Sequence, residues 1–238
     1  MHPQVQKLLA RTYDEQRSDG WFKLRGTMLT ASDLATALGD NPYEKPDGLI
    51  LKKCGLGKKF TGNAATRWGQ KYEDEARDIY VAKYNEVVHE VGLCPHPVHK
   101  FLGGSPDGIT ESGKLVEIKC PKTREIKPEV PIYYMPQLQL CMEILDLEEA
   151  AFIQYKPEEL TWPKPAEFVV VMVPRDREWF AERLPIARAF WDRVLWHREH
   201  GCDDLLPKKR APKREVFLDI DTTPPKVCEI ESSSEEED

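Results

Sequence analysis

The sequence predicts a mixed α/β protein in which a central β-sheet is flanked by helices. Residues 64–84 carry Trp68, Tyr72, Ala76, Ile79 and Tyr80, which recur at spacings of three and four, as is typical of an amphipathic helix. Residues 86–120 then form short β-rich segments separated by turn residues. The order along the chain is helices, three strands, a helix, two strands and a final helix, and this order predicts strands and helices in one layered domain.

The helices before the sheet follow from capping residues and prolines. A first helix is predicted over residues 3–17. Thr30 or Ser32 can cap the next helix, which Gly39 would close, and Pro46 can begin another.

The strand predictions rest on short apolar segments. The segments "EVVHEVGLC", "KFLGGSPDGI" and "KLVEIKC" are predicted strands, with "TESGK" as the hairpin turn between the last two. The helix "IYYMPQLQLCMEILD" separates them from "AAFIQYKP" and "AEFVVVMVP". The second of these is nearly all apolar and is therefore predicted to be central in the sheet. The stretch 176–201 predicts one long helix, or two that meet near Pro185.

Composition predicts one domain over residues 1–205 and a flexible extension over 206–238, basic at first and acidic at its end. The net charge is −7, and six acids lie within the last ten residues, so the overall charge decides little about a nucleic-acid partner. The six cysteines form no CxxC pair and are predicted to be free thiols. No apolar run is long enough to span a membrane and no secretory signal is present, so an intracellular protein is expected. The basic stretch 207–214 is a candidate nuclear import signal.

The segment 103–120 carries the strongest chemical pattern. In a strand, alternate side chains share a face, so Glu117 and Lys119 point the same way. A hairpin of this length would return Asp107 to a position beside Glu117. Two adjacent carboxylates resist ionising together, and a divalent cation resolves that conflict; oxygen ligands favour Mg²⁺ or Mn²⁺. This arrangement suits hydrolysis of a phosphodiester by metal-activated water, while a salt-bridged surface hairpin is the alternative.

The stretch "SPDGITESGKLVEIKCP" resembles the PD-(D/E)XK nuclease superfamily, and more narrowly the phage lambda exonuclease and YqaJ-type viral recombinase family. The stretches "WFKLRGTMLTAS" (21–32), "WGQKYEDEAR" (68–77) and "YMPQLQL" (134–140) resemble further motifs of that family, in the family's order. The motifs lie within residues 21–145, and the resemblance implies a restriction-endonuclease-like core.

This resemblance also implies roles for individual residues. It makes Asp107, Glu117 and Glu73 metal-binding acids, with the backbone carbonyl of Ile118 as a further ligand. Lys119 is then the catalytic lysine, and Gln137 helps to position the catalytic centre. Glu75 is expected to point elsewhere, and Gly69, one turn from Glu73, would leave room for metal, water or DNA.

The resemblance also implies a pocket for a terminal 5′-phosphate. Arg25 and Ser32 match the family's residues that bind this phosphate, and Thr30 is a further candidate. The family has another basic residue after this helix that does not align here, and Lys45 could substitute for it.

The implied function is a Mg²⁺-dependent exonuclease, with Mn²⁺ as a substitute and two ions in the site. It would act on double-stranded DNA ends in the 5′→3′ direction and leave 3′ single-stranded tails for recombination. A single-strand annealing protein is the implied partner, and some relatives are homo-oligomers that form trimer rings. Two alternatives stay open: an endonuclease of the same superfamily, and a nonenzymatic DNA-binding relative.

Overall fold

The computed structural model describes residues 1–13, 16, 18–57 and 64–206, with side chains from residue 67 onward in the last range. The helices are α1 (Pro3–Leu9), α2 (Asp19–Gly26), α3 (Ala31–Leu38), α4 (Pro46–Lys53), α5 (Ala64–Tyr84), α6 (Met135–Leu145), α7 (Glu158–Thr161) and α8 (Arg177–His200). The strands are β1 (Leu29–Thr30), β2 (Val88–His89), β3 (Cys94–Pro95), β4 (Leu102–Gly104), β5 (Gly108–Thr110), β6 (Lys114–Lys119), β7 (Glu149–Lys156) and β8 (Glu167–Pro174). A 3₁₀ turn, Ile132–Tyr134, leads into α6.

The main sheet has the strand order β2-β5-β6-β7-β8. Strands β6 and β7 are parallel, and the other neighbours in this sheet are antiparallel. A smaller sheet has the order β1-β4-β3, with β1 parallel to β4. The predicted mixed sheet flanked by helices is confirmed.

Helices cover both faces of the main sheet. On one face, Val116 and Ile118 of β6 pack with Tyr72, Ala76 and Tyr80 of α5. On the other face lies a larger apolar cluster that includes residues of α3, α6 and α8. A side chain on either face of β6 is therefore covered by a helical layer, which decides the environment of Glu117.

The N-terminal helix is shorter than the sequence predicts. It ends at Leu9, and a new helix begins at Asp19, where the Ser18 side chain accepts a hydrogen bond from the backbone N–H of Trp21. The prediction of one helix over residues 3–17 was wrong. After Leu9 the chain leaves the helix, and Tyr13 packs on the core and donates its hydroxyl to the backbone carbonyl of Leu8. Thr30 does stand at the N-cap of α3 and Gly39, with a φ of 86°, closes it, but the Thr30 side chain makes no capping bond.

The prediction that "AEFVVVMVP" is the central strand was wrong. This segment is β8, at the edge of the main sheet, and it is mostly half-buried, with Met172 exposed. Strand β7 takes the interior position and is buried along most of its length. A continuous apolar run does not distinguish a central strand from an edge strand whose two faces are both partly covered. Near Pro185, α8 continues as one helix.

The residues Met1–Leu205 form one compact unit. Residues 207–238, which contain the predicted extension and the candidate import signal at 207–214, lie outside the described residues. The cysteines that the structure describes are free thiols. No helix in the described part of the chain is both long enough and apolar enough to cross a membrane.

Candidate active site

The β5–β6 hairpin brings the predicted acids together. Gly108 pairs with Val116 in the antiparallel register, so Asp107 stands at the next position, opposite Glu117. Asp107 Oδ2 accepts a hydrogen bond of 2.7 Å from the backbone N–H of Ile118. The hairpin thus places the Asp107 carboxylate at the end of β6, where Glu117 and Lys119 are.

Glu117 is a buried carboxylate with an incomplete set of partners. Its side chain is 1% exposed. Its Oε1 atom accepts from Lys119 Nζ and, at 2.5 Å, from Gln137 Nε2 on α6. Its Oε2 atom is buried and has no hydrogen-bond partner in the structure. The alternative of an ordinary surface hairpin is therefore wrong, because helix α6 covers this face of the sheet as well.

Burial and charge shift the titration of this pair. Burial, together with the negative charge of Asp107, raises the pKa of Glu117 to about 8, although Lys119 opposes the shift. Burial alone would lower the pKa of Lys119, but the charges of Glu117 and Asp107 raise it above its usual range. Perturbed groups of this kind, set in a cleft, are characteristic of functional sites.

A cleft of about 350 Å³ opens beside these residues. Glu73, Asp107 and Lys119 all line it, whereas Glu117 is buried and is not among its lining residues. Gly69 also lines the cleft, and a Cβ atom at Gly69 would meet no atom within 4 Å, so this turn of α5 leaves open space. Glu75, on the same helix, accepts a hydrogen bond from the Tyr155 hydroxyl.

The donor set fits a hard divalent cation. Among the described residues, no three His, Cys, Asp or Glu side chains form a group that could hold a metal ion as they are placed. Mg²⁺ does not require such a group, since it commonly uses one or two carboxylates and keeps several waters. The unpartnered Glu117 Oε2, the adjacent Asp107 and the Glu73 carboxylate facing the same cleft supply oxygen ligands, and Ile118 borders that cleft. A cation there would remove the cost of a buried oxygen without a partner.

A second polar cluster surrounds the N-terminus of α3. Arg25 Nη2 donates to Ser32 Oγ at 2.9 Å, and the Ser32 and Thr30 hydroxyls are 3.2 Å apart. The structure thus brings together the three residues predicted for a phosphate pocket. Thr30 itself is buried and also donates to Asp33 Oδ2 at 2.7 Å. A helix N-terminus beside an arginine favours an anion.

The two clusters are close in the fold because β1 and β4 are parallel neighbours. Thr30 pairs with Gly103, which precedes Asp107 by four residues. Trp21 Nε1 donates to Ser105 Oγ at 3.5 Å, and the Arg25 guanidinium lies 4.5 Å from the centre of the Trp21 ring. The carboxyl ends of β1 and β4 therefore bring the Arg25 cluster and the Asp107 segment to the same side of the small sheet.

Lys53 is the basic residue that sequence reasoning missed. Its Nζ atom lies 2.8 Å from Asp33 Oδ2 and donates to the backbone carbonyls of Arg25 and Met28. Burial raises the pKa of Asp33, but the charges of Lys53 and Arg25 outweigh burial and hold that pKa below its usual range. Lys45, the substitute suggested by the sequence, is an exposed residue at the N-cap of α4. No signal in the sequence indicated Lys53, because its contact with Asp33 depends on how α4 folds back onto α3.

We expect Lys53→Met to lower the free energy of unfolding by roughly 3 kcal/mol, because Asp33 would keep a largely buried charge without its lysine. Chemical denaturation at pH 7 measures this change. Lys52→Met is the matched control: Lys52 is adjacent and 48% exposed, compared with 9% for Lys53, and its ion pair with Glu44 should contribute at most about 1 kcal/mol. Equal losses in the two variants would contradict a buried role for Lys53.

Comparison with known proteins gives the family. Residues 20–148 match the YqaJ-like viral recombinase domain, which is more than half of the chain. The chain belongs to this family. Among curated proteins, it is 35% identical over 163 residues to uncharacterized protein R354 of Acanthamoeba polyphaga mimivirus, a match covering 61% of this chain and 30% of R354. It is also 35% identical over 156 residues to protein D345L of African swine fever virus (Badajoz 1971), covering 52% and 45%. The chain thus spans less than half the length of these viral relatives.

Solved structures place this YqaJ-like domain in the PD-(D/E)XK fold. The alkaline exonuclease LHK-Exo of Laribacter hongkongensis superposes with a TM-score of 0.62 at 26% identity, covering 77% of this chain and 95% of that one. A phage-related exonuclease from Haemophilus somnus 129PT gives a TM-score of 0.53 at 17% identity, covering 71% and 96%, and supports the fold alone. The predicted fold class and family are confirmed.

The cleft of this YqaJ-like domain includes residues that the sequence did not single out. Lys119 Nζ lies 5.3 Å from the centre of the Tyr134 ring, and Tyr134 lines the cleft. Lys122 also lines it and lies 5.4 Å from the centre of the Trp68 ring. Tyr134 precedes the glutamine helix in the motif "YMPQLQL", so its position in that motif was the available signal.

Proposed function

We propose that this YqaJ-like domain is a metal-dependent DNA exonuclease. It hydrolyses phosphodiester bonds of linear duplex DNA in the 5′→3′ direction and leaves 3′ single-stranded tails for viral recombination or DNA processing. Mg²⁺ is the proposed cofactor, with Mn²⁺ as a substitute and two ions in the site. The similarity to LHK-Exo, an alkaline exonuclease, supports this reaction class.

One observation carries the proposal: the buried Glu117 carboxylate has one oxygen held by Lys119 and Gln137 and the other without a partner. A structural carboxylate at 1% exposure would normally have both oxygens satisfied. Asp107 stands opposite Glu117 and lines the cleft together with Glu73, so the unpartnered oxygen suits a cation held by these acids.

In this site Asp107, Glu117, Glu73 and the Ile118 carbonyl would hold the cation, which supplies Lewis-acid polarisation of the phosphate and activation of water. Gln137 fixes the orientation of Glu117 through its 2.5 Å hydrogen bond. Lys119 keeps its proton because its pKa is raised, and its ammonium group can stabilise the negative charge that develops on the phosphate oxygens.

Arg25 and Ser32, with Thr30 beneath them, suit the terminal 5′-phosphate. The guanidinium offers a forked set of donors and the Ser32 hydroxyl is exposed at the start of α3. A phosphate held there would fix the DNA end, and the adjacent cleft would then receive the bond near that end. This arrangement supports attack from 5′ ends over attack within a strand.

A digestion assay tests the proposal. Linear duplexes labelled at the 5′ or 3′ end, with and without a 5′-phosphate, are incubated beside a closed circular duplex, with Mg²⁺ or with chelator. We expect Mg²⁺-dependent loss of nucleotides from 5′-phosphorylated ends and an intact circle. Cutting of the circle would replace the exonuclease with an endonuclease. No cleavage of any substrate in Mg²⁺ or Mn²⁺ would refute the enzyme and leave a DNA-binding relative.

We expect Arg25→Gln to remove the preference for 5′-phosphorylated ends. The variant keeps a polar side chain but loses the charge and the fork, so the initial rate on 5′-phosphorylated duplex should fall at least about 10-fold toward the rate on a 5′-hydroxyl duplex. Lys23→Gln, on the same helix and exposed, is the control. If Arg25→Gln slows both substrates by the same factor, the phosphate role assigned to Arg25 is wrong.

A partner protein and a homo-oligomeric assembly are also proposed. A 3′ tail is a substrate for a single-strand annealing protein, and a homo-oligomer, including a trimer, is proposed from the family resemblance. Size-exclusion chromatography with light scattering distinguishes a monomer from a trimer directly.

A further inference from the structure

A second cleft, of about 400 Å³, adjoins the active site through neighbouring tyrosines. Tyr133 lines this second cleft, Tyr134 lines the first, and their ring centres are 4.5 Å apart. The second cleft is within the size range of small-ligand sites, about 300–1,000 Å³. Its lining residues are Tyr43, Arg124, Glu125, Lys127, Glu129, Pro131 and Tyr133.

The aromatic rings form a continuous path that begins at the catalytic lysine. Lys119 Nζ lies over Tyr134, Tyr134 contacts Tyr133, and Tyr133 meets Tyr43 edge to face with ring centres 5.6 Å apart. Tyr43 lies in the loop before α4 and is 78% exposed. An exposed tyrosine and a half-buried one that both line a cleft suit a planar ligand with a polar rim.

Arg124 gives the cleft a positively charged wall. Its Nη1 atom donates to Gln154 Oε1 at 2.8 Å, and this contact fixes the guanidinium. Its Nη2 atom is buried and has no hydrogen-bond partner in the structure. A buried donor without an acceptor is costly, so the guanidinium gains if an anionic oxygen enters after a small movement of the cleft wall.

The remaining charges limit what the cleft attracts. Lys127 adds a second cation, whereas Glu125 and Glu129 add two acids, so the lining carries no net charge. Binding would therefore depend on ring contacts and one directed phosphate contact, with little help from a general positive field. Bases of unpaired nucleotides stack on aromatic side chains, and an arginine can hold a phosphate by directed hydrogen bonds.

We propose that this cleft binds one unpaired nucleotide of the DNA substrate, with its base against Tyr43 and Tyr133 and a phosphate on Arg124. The inference rests on the proposed nuclease function and adds a single-strand subsite to it. Removal of nucleotides from a duplex end leaves unpaired bases beside the scissile bond, and the tyrosine path leads from Lys119 to this cleft. The unpaired nucleotide belongs either to the digested strand or to its complement.

The first experiment measures binding without hydrolysis. The full chain, in chelator, is titrated into a fluorescein-labelled single-stranded oligonucleotide and followed by anisotropy. Tyr43→Leu and Tyr133→Leu should each raise the dissociation constant about 10-fold, and the corresponding phenylalanine variants should stay within about twofold of wild type. Tyr84→Leu is the control, because Tyr84 is an exposed tyrosine on α5, eleven residues beyond Glu73. Melting temperatures verify that each variant is folded.

A second experiment identifies the strand. Duplexes with a single abasic nucleotide near the 5′ end, in either strand, are digested in Mg²⁺ by wild type and by Tyr43→Leu. In the strand that occupies the cleft, the missing base and the missing ring should remove the same interaction, so the two losses will not multiply. Unchanged single-strand binding by both leucine variants, or independent losses in both strands, would overturn the subsite. Binding that is sensitive to the tyrosines in a protein that cuts no DNA would refute the nuclease and keep the single-strand site.

Discussion

We expect Lys119→Met to lower the rate of phosphodiester hydrolysis by at least about 100-fold. Methionine keeps much of the length of the side chain but removes the ammonium group. The negative charge that develops on the phosphate would then lose a positive partner in a partly buried cleft. Single-turnover digestion of a 5′-phosphorylated duplex measures the chemical step without product release.

The fold should survive this change, because Glu117 can take up a proton in place of the lost ion pair. Its pKa is already raised to about 8 in the presence of Lys119. Lys114→Met is the matched control, since Lys114 lies at the other end of the same strand and pairs with Glu86 at 2.5 Å. A Lys119→Met protein that digests DNA within threefold of wild type would remove Lys119 from the mechanism.

Binding of the cation should also raise the stability of the folded protein. In wild type, Mn²⁺ or Mg²⁺ at ten times its dissociation constant should stabilise the folded state by about 1.4 kcal/mol, which raises the melting temperature by about 3–5 °C. Glu117→Gln removes the carboxylate with the unpartnered oxygen, so this metal-induced rise should shrink below about 1 °C. Differential scanning fluorimetry with and without the metal gives the value.

Glu111→Gln is the control for the metal experiment. Glu111 follows β5 on the same hairpin and its carboxylate lies 3.3 Å from His89 Nε2, so it should leave the metal-induced rise unchanged. The metal-binding assignment fails if Glu117→Gln keeps the full rise. Digestion by Glu117→Gln should also fall at least about 100-fold, which links the cation to the reaction.

The side-chain placements that the sequence predicted correctly depend on local backbone geometry. Strand alternation put Glu117 and Lys119 on one face, and the length of the hairpin put Asp107 opposite Glu117. Helical spacing identified the buried side of α5, whereas Glu73 came from the family resemblance. These relations depend on neighbours within about a dozen residues, and strand and helix geometry determine them.

The residues that the sequence missed depend on contacts between distant elements. Lys53 reaches Asp33 because α4 folds back onto α3, and Arg124 is fixed by Gln154, thirty residues later. Likewise β8 lies at the sheet edge because of the strand order, and the apolar sequence of β8 alone does not determine that order. A contact of this kind has no period or motif, so only the folded chain reveals it.

The parallel pairing of β6 with β7 has a further consequence for how this chain tolerates change. Glu117 pairs with Phe152 and Lys119 with Gln154, while Val116 and Ile118 pack under α5. A slip by one residue would turn Glu117 and Lys119 into the apolar layer beneath α5 and leave two aliphatic side chains at the cleft. The charged pair thereby fixes the register of the strand, and an insertion or deletion within β6 should disrupt both folding and catalysis.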